Sequence, residues 1–220
     1  GNDHFAQTRL ILLENTHNRG GGSVWPVELI AGIRRLADQH GLAMHLDGAR
    51  LLNACVATGL KPTDYTRHFD SCSMCFSKGL GAPVGSAVAG SRDFIRRVHR
   101  FRKMFGGGMR QAGILAAAAL YALDHHVERL AEDHANARRL AEAIAELPGI
   151  TLDPQTVETN IVIFEVDERV GTAAELVGRL EQQGVRMLAI GPQRVRAVTS
   201  LAVAAPQIDR AIQVLRRALQ

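Results

Sequence analysis

The chain has 220 residues, 46% of them hydrophobic and 22% charged, which suits one large globular domain or two small ones and argues against a disordered or fibrous chain. Its 26 basic and 22 acidic residues leave a net charge of +4, too mild a bias to demand a nucleic-acid partner, and the densest basic stretch, 92–102, carries no recognised nucleic-acid motif. No apolar run approaches bilayer length and no secretory pattern is present, so a cytoplasmic protein with no membrane partner is expected.

In chain order, a short apolar strand is predicted over 10–14, followed by a polar, glycine-rich loop over 15–23. Pro26 opens a helix that puts Leu29, Ile30, Ile33, Leu36 and Ala37 on one face and Arg34, Arg35 and Asp38 on the other, and Gly41 stops it. Residues 42–46 read as a strand ending at Asp47-Gly48, 70–76 as another, and 85–89 as a third, small and apolar as a buried strand next to a turn should be. Ser91 caps a helix running to about Lys103, and 105–108 break it. A long alanine-rich helix covers 111–127, and another runs down to Leu147, closed by Pro148-Gly149. The remainder reads as α+β, with strands at 160–166 and 194–199 and helices at 172–183 and 206–219.

The early alternation of strand and helix is that of an α/β domain with a mostly parallel sheet, in which ligands bind beyond the carboxyl ends of the strands. A boundary is expected near residue 130, dividing the chain into 1–129 and 130–220. Cys55, Cys72 and Cys75 cannot build a disulfide framework and fit a reducing compartment. Cys72 and Cys75 spell CxxC, but no second ligand pair follows at zinc-site spacing, and the stretch DSCSMCF reads as a buried strand. His125, His126 and His134 form no ligand pattern and read as helix surface, so no metal is expected.

Chemistry concentrates at two strand ends. The segment CFSKGLGAPVGS (75–86) places Lys78 after an apolar strand and ahead of a glycine turn. A lysine desolvated there has a lowered pKa and a free nucleophilic amine, as against a cofactor; the plain alternative is a surface lysine on a turn. Upstream, HLDGAR (45–50) ends a strand on Asp47, a position from which a carboxylate keeps a pyridinium nitrogen protonated, or simply caps the next turn. Arg50 reaches the same site or makes a surface ion pair. In 194–199, Arg194, Arg196 and Val198 share one strand face, and a bland reading leaves both arginines at the surface of an edge strand.

Together the segments LENTHN (13–18), GG-V-P within 21–26, HLDGAR with Asn53, SKGLGAPVGS (77–86), KMFGGGMRQAG (103–113) and RVRAVTS (194–200) resemble the low-specificity L-threonine aldolases. These sit within the aromatic amino acid β-eliminating lyase/threonine aldolase group of fold-type I pyridoxal-phosphate (PLP) enzymes. The resemblance implies part of a PLP-dependent transferase-like large domain followed by a smaller α+β domain. It implies that Lys78 holds pyridoxal 5'-phosphate as a Schiff base, that Asp47 partners the pyridinium nitrogen, and that Arg50 lies close to the cofactor's phenolic oxygen. Arg196 matches the arginine that holds the substrate carboxylate, with Arg194 its rival. Lys103 and Arg110 flank a triple glycine and face either the active site or a neighbouring subunit's phosphate, and Asn15, Thr16, His17 and Asn18 form a loop that contacts or buttresses the cofactor.

The implied reaction is retro-aldol cleavage of L-threonine or L-allo-threonine to glycine and acetaldehyde, by a homo-oligomer (dimer or tetramer). Another PLP-dependent β-elimination, or a non-catalytic fragment of such an enzyme, are the alternatives. Two departures stand out. Many relatives have His where this chain has Ser200. The family's earlier section, with its phosphate loop and ring-stacking histidine, has no counterpart here, and the sequence opens on Gly1 rather than Met, so the chain is expected to lack an N-terminal part.

Overall fold

A computed structural model describes His4 and residues 6–219; Gly1 lies outside the described residues. Three short apolar strands, β1 (Leu10–Glu14), β2 (Ala43–Asp47) and β3 (Ser71–Cys75), lie side by side and parallel, and β4 (Ser86–Gly90) adds antiparallel to β3. Helix α1 (Val27–Gln39) connects β1 to β2, and α2 (Leu51–Thr58) and α3 (Pro62–Thr66) connect β2 to β3. Ile30 of α1, Leu46 of β2, Leu51 and Ala54 of α2 and Tyr65 of α3 pack into one cluster. Burying a side chain of this size contributes about 1.5–3 kcal/mol.

The buried stripe of α1 is narrower than its apolar pattern suggests. Ile30 and Ala37 are fully buried, whereas Leu29 and Leu36 are exposed. Arg34, assigned from its spacing to the outer face, bonds Asp38, Asp70 and the Leu42 carbonyl, tying α1 to the residues that lead into β2 and β3. β4 also departs from expectation. All five of its residues are exposed, because it pairs only with β3 and its small side chains reach no second layer. Cys72 and Cys75, expected in a buried strand, are half-buried, although β3 is paired on both sides.

Ser91 caps α4 (Arg92–Met104), its hydroxyl accepting from the Phe94 amide at 3.2 Å. Neither α4 nor α5 (Gly113–His125) is a core helix: α4 buries no residue and α5 only Ala122. Helix α6 (Leu130–Ala145) runs between two clusters. Its first residue, Leu130, packs with Leu80, Ala82 and Ala122. Ala137, Leu140, Ala141 and Ile144 belong to the larger C-terminal core.

That core lies against a second, wholly antiparallel sheet of β5 (Ile150–Thr151), β6 (Ile161–Val166), β7 (Leu188–Ala189) and β8 (Arg194–Val198), ordered β5-β6-β8-β7. Strands β5 and β7 have two residues each, too short for any alternation to betray them. Helix α7 (Ala173–Glu181), opened by a Thr172–Glu175 capping box, and α8 (Ala205–Ala218) complete the layer.

Candidate active site

The parallel strands deliver three chain ends to one edge of the first sheet. Glu14 at the end of β1 is in register with Asp47 at the end of β2, and Asp47 with Ser73 of β3. From the end of β2 the chain turns at once into α2. Asp47 Oδ1 accepts from the Ala49 amide at 3.1 Å, so the turn-capping role foreseen for this carboxylate is present. It occupies only one of the two oxygens, and among the described residues no hydrogen bond is recorded to Oδ2.

Arg50 is half-buried, and its Nε and Nη1 are buried without a hydrogen-bond partner. Burial pushes its pKa below the ordinary arginine value, the charge of Arg196 adds to that, and Glu14, Cys75 and Asp47 oppose it. Arg196 stands on β8, on the face shared with Arg194 and Val198. Its Nη2 donates to Asn18 Oδ1 at 2.7 Å, and its Nε is buried and unpartnered. Burial lowers its pKa too, against the pull of Glu14. Two desolvated guanidiniums that feel each other, with donors left over, form a site that an anion stabilises.

Arg194 differs. It is exposed and lies 4.0 Å from Glu165 on the neighbouring strand, a surface pair of little consequence. Strand periodicity therefore left two candidates, and burial separates them.

The loop 15–23 joins the two sheets. The Asn15 amide donates to the Asp47 carbonyl at 2.9 Å, Asn15 and Thr16 are fully buried, and the peptide between them is cis. Thr159 of the C-terminal layer donates its hydroxyl to the Gly22 carbonyl at 2.6 Å. Glu158 accepts from the Val24 amide at 3.2 Å. Asn18, a residue with no firm role in the sequence reading, thus aims Arg196, and Glu14, with none at all, supplies the counter-charge. Its place at the end of β1 opposite Asp47 was the available signal.

Lys78 follows β3 on a turn in which the Gly81 amide returns to the Lys78 carbonyl at 2.9 Å. Arg50, Cys75 and Gly79 line one small cleft, so this turn opens beside Arg50. The side chain of Lys78 is exposed, a correction to the desolvated amine expected from the apolar run before it: β3 leads up to the lysine, but nothing in its own loop covers it. Lys103, in the last turn of α4, and Arg110, ahead of α5, are also exposed. Among the described residues no hydrogen bond or ion pair brings them to Asp47, Arg50 or Arg196. The histidines need a second correction. His125 is exposed, but His126 and His134 are partly buried and hydrogen-bonded, to the Leu80 carbonyl and to Asn53.

A mostly parallel sheet with an antiparallel C-terminal layer carrying a half-buried arginine is the fold-type I arrangement of PLP enzymes. The threonine aldolase of Leishmania major superimposes with a TM-score of 0.78 at 22% identity, over 100% of this chain and 64% of that one. The family model of the beta-eliminating lyases matches residues 1–169, and the chain belongs to that family. Low specificity L-threonine aldolase of Escherichia coli (strain K12) is 45% identical over 205 residues, 93% of this chain and 59% of that protein. Low-specificity L-threonine aldolase 1 of Arabidopsis thaliana is 38% identical over 220 residues, 100% of this chain and 62% of that protein. The chain therefore spans about three fifths of the length of these relatives.

Proposed function

We propose that the protein to which this chain belongs cleaves L-threonine and L-allo-threonine to glycine and acetaldehyde by a PLP-dependent retro-aldol reaction. The observation that carries this reading is the pairing of Arg50 and Arg196, both desolvated and both with unsatisfied donors, beside Asp47 and the Lys78 turn. The residues fit the cofactor on their own chemistry: an amine for its aldehyde, a carboxylate for its ring nitrogen, and free guanidinium donors for oxyanions. Bound pyridoxal phosphate supplies an aldehyde that an amino acid can take up and a protonated ring that draws electron density from Cα.

Lys78 is the amine that would hold the cofactor when no substrate is present. Asp47, through its second oxygen, would keep the ring nitrogen protonated, and Arg50 would supply donors to the phenolic oxygen. Arg196, aimed by Asn18, grips the substrate carboxylate and so selects which bond at Cα is oriented to break. The cofactor residues fall in 1–129 and the substrate arginine in 130–220, which is where we place the domain boundary. Phe101, Met104, Phe105, Met109 and Ile114 form an exposed apolar band along α4, the glycine turn and the start of α5. We assign this band to contact with a second copy in a homo-oligomer, dimer or tetramer, where Lys103 and Arg110 would face the neighbour. Among the described residues no helix is long and apolar enough to cross a membrane, and the three cysteines are free, which fits a cytoplasmic setting.

The full-length protein, loaded with pyridoxal phosphate and given L-threonine, should release acetaldehyde and glycine in equal amounts, followed by coupled NADH oxidation with an alcohol dehydrogenase. Pyruvate and ammonia from serine or cysteine, with no acetaldehyde from threonine, would assign the protein to β-elimination instead.

A further inference from the structure

The glycine turn that carries Lys78 is backed by side chains to which the proposed reaction gives no part. Asn53 of α2 is only 2% exposed, and its Nδ2 lies 3.1 Å from Nε2 of His134 on α6. An amide nitrogen can only donate, so Nε2 accepts and the imidazole is neutral with its proton on Nδ1. A Cβ on Gly79 would stand 3.4 Å from Asn53 Oδ1 and 2.7 Å from Leu130 Cδ2. The backbone directly after Lys78 therefore packs closely against this amide and the first residue of α6, and a side chain here would have to displace Leu130. Two residues after Lys78, the Leu80 carbonyl accepts from His126 Nδ1 at 2.7 Å, and Gly81 then turns the chain at φ 72°.

The preceding residue of α6 reaches the other half of the site. The Asp133 carbonyl accepts from the Thr199 hydroxyl at 2.7 Å. Asn160 donates from Nδ2 to the Thr199 carbonyl at 2.9 Å, and Thr199 follows Arg196 by three positions. Adjacent residues of one helix are thus bonded to the amide that backs the lysine loop and to the residue that follows the arginine's strand.

We infer that His134, acting through Asn53, is a positioning residue for Lys78, and that the first turns of α6 hold the Lys78 loop and the Arg196 strand in a fixed relation. The inference rests on the reading that these two residues serve one site. Lys78 is exposed, so its amine is located only as well as its backbone is, and a misplacement of about 1 Å costs on the order of a hundredfold in rate. A buried amide that has lost its acceptor loosens what it supports, because Asn53 would then seek another partner.

The test compares His134→Leu, which deletes the acceptor, with His134→Gln, whose side-chain oxygen replaces it, in the full-length protein. Amide hydrogen exchange is followed in a peptide covering 76–85 and in one covering 43–47, and kcat and KM are measured for threonine cleavage. His134→Leu should speed exchange at Gly81 and Ala82 by about tenfold or more with 43–47 unchanged, and lower kcat with KM nearly constant, while His134→Gln should recover both to within about threefold. Unchanged exchange in the loop, equal acceleration in both peptides, or failure of the glutamine to rescue would each overturn the inference. Should His134→Leu not fold, Asn53→Ala removes the same bond from its other end and is read in the same way. The exchange readout needs no turnover, so it stands even if the wild type proves unable to cleave threonine, a result that sinks the proposed reaction alone.

Discussion

A guanidinium holds a carboxylate through two parallel hydrogen bonds, whereas an ammonium offers a point charge. Arg196→Lys in the full-length protein is accordingly expected to keep cofactor absorbance and lose on the order of a hundredfold in kcat/KM for threonine. Arg194, exposed and loosely paired with Glu165, should tolerate the same change within about twofold. Asn18→Ala tests the aiming of the clamp: its loss strips Arg196 of its only side-chain partner among the described residues and should cost about tenfold in kcat/KM with little change in cofactor binding. Asp47→Ala should leave the circular dichroism spectrum intact and cut kcat by about a hundredfold or more, since an unprotonated ring accepts electrons poorly. Near-normal turnover there would reduce Asp47 to a turn cap. Asp47, Arg50 and Arg196 could be nominated from the sequence by the family resemblance and by their places at a strand end, in the turn after it and on a strand face. A period of two could not choose between Arg194 and Arg196. The bond from Arg196 to Asn18 was not legible, since it joins residues 178 positions apart. The exposure of Lys78 was not legible either, because an apolar run reports what precedes a residue and not what stands opposite it.

Among the secondary elements, those with a full period were read almost to the residue, as with the cap at Ser91 and the strand β8, while β5 and β7 offered too few residues to show one. The histidines of α5 and α6 passed as helix surface because their partners come from α2 and from the Lys78 turn, contacts that only the tertiary arrangement creates. His134 carries a measurable consequence. Burial, reinforced by Arg138, holds its imidazole at about 4, below the ordinary 6.5. The unfolded chain therefore takes up the proton first, and the stability gained from a neutral His134 is complete above pH 6.5 and is lost as pH falls toward 4. The loss is on the order of 3 kcal/mol at most. Urea midpoints between pH 4 and 7 should fall with acid in the wild type and fall less steeply in His134→Gln. Parallel slopes would show that His134 is protonated without penalty.

At the scale of the whole molecule, the exposed band from Phe101 to Ile114 is where association is expected. Phe105→Glu combined with Ile114→Glu should weaken self-association by at least about tenfold in sedimentation equilibrium, since a charge replaces apolar area that a partner would cover. An unchanged association constant would move the contact elsewhere. Helix α6 belongs to both the cluster around Leu80 and the C-terminal core, and its sequence LAEDHANARRLAEAIA contains neither glycine nor proline. Such a helix has no point at which to fold like a hinge. The two layers are then limited to small rotations about a common shaft, and admission of substrate falls to the short loops 15–23 and 76–85 rather than to a jaw-like closure. Small-angle scattering profiles of the full-length protein with and without a bound amino acid should accordingly superimpose.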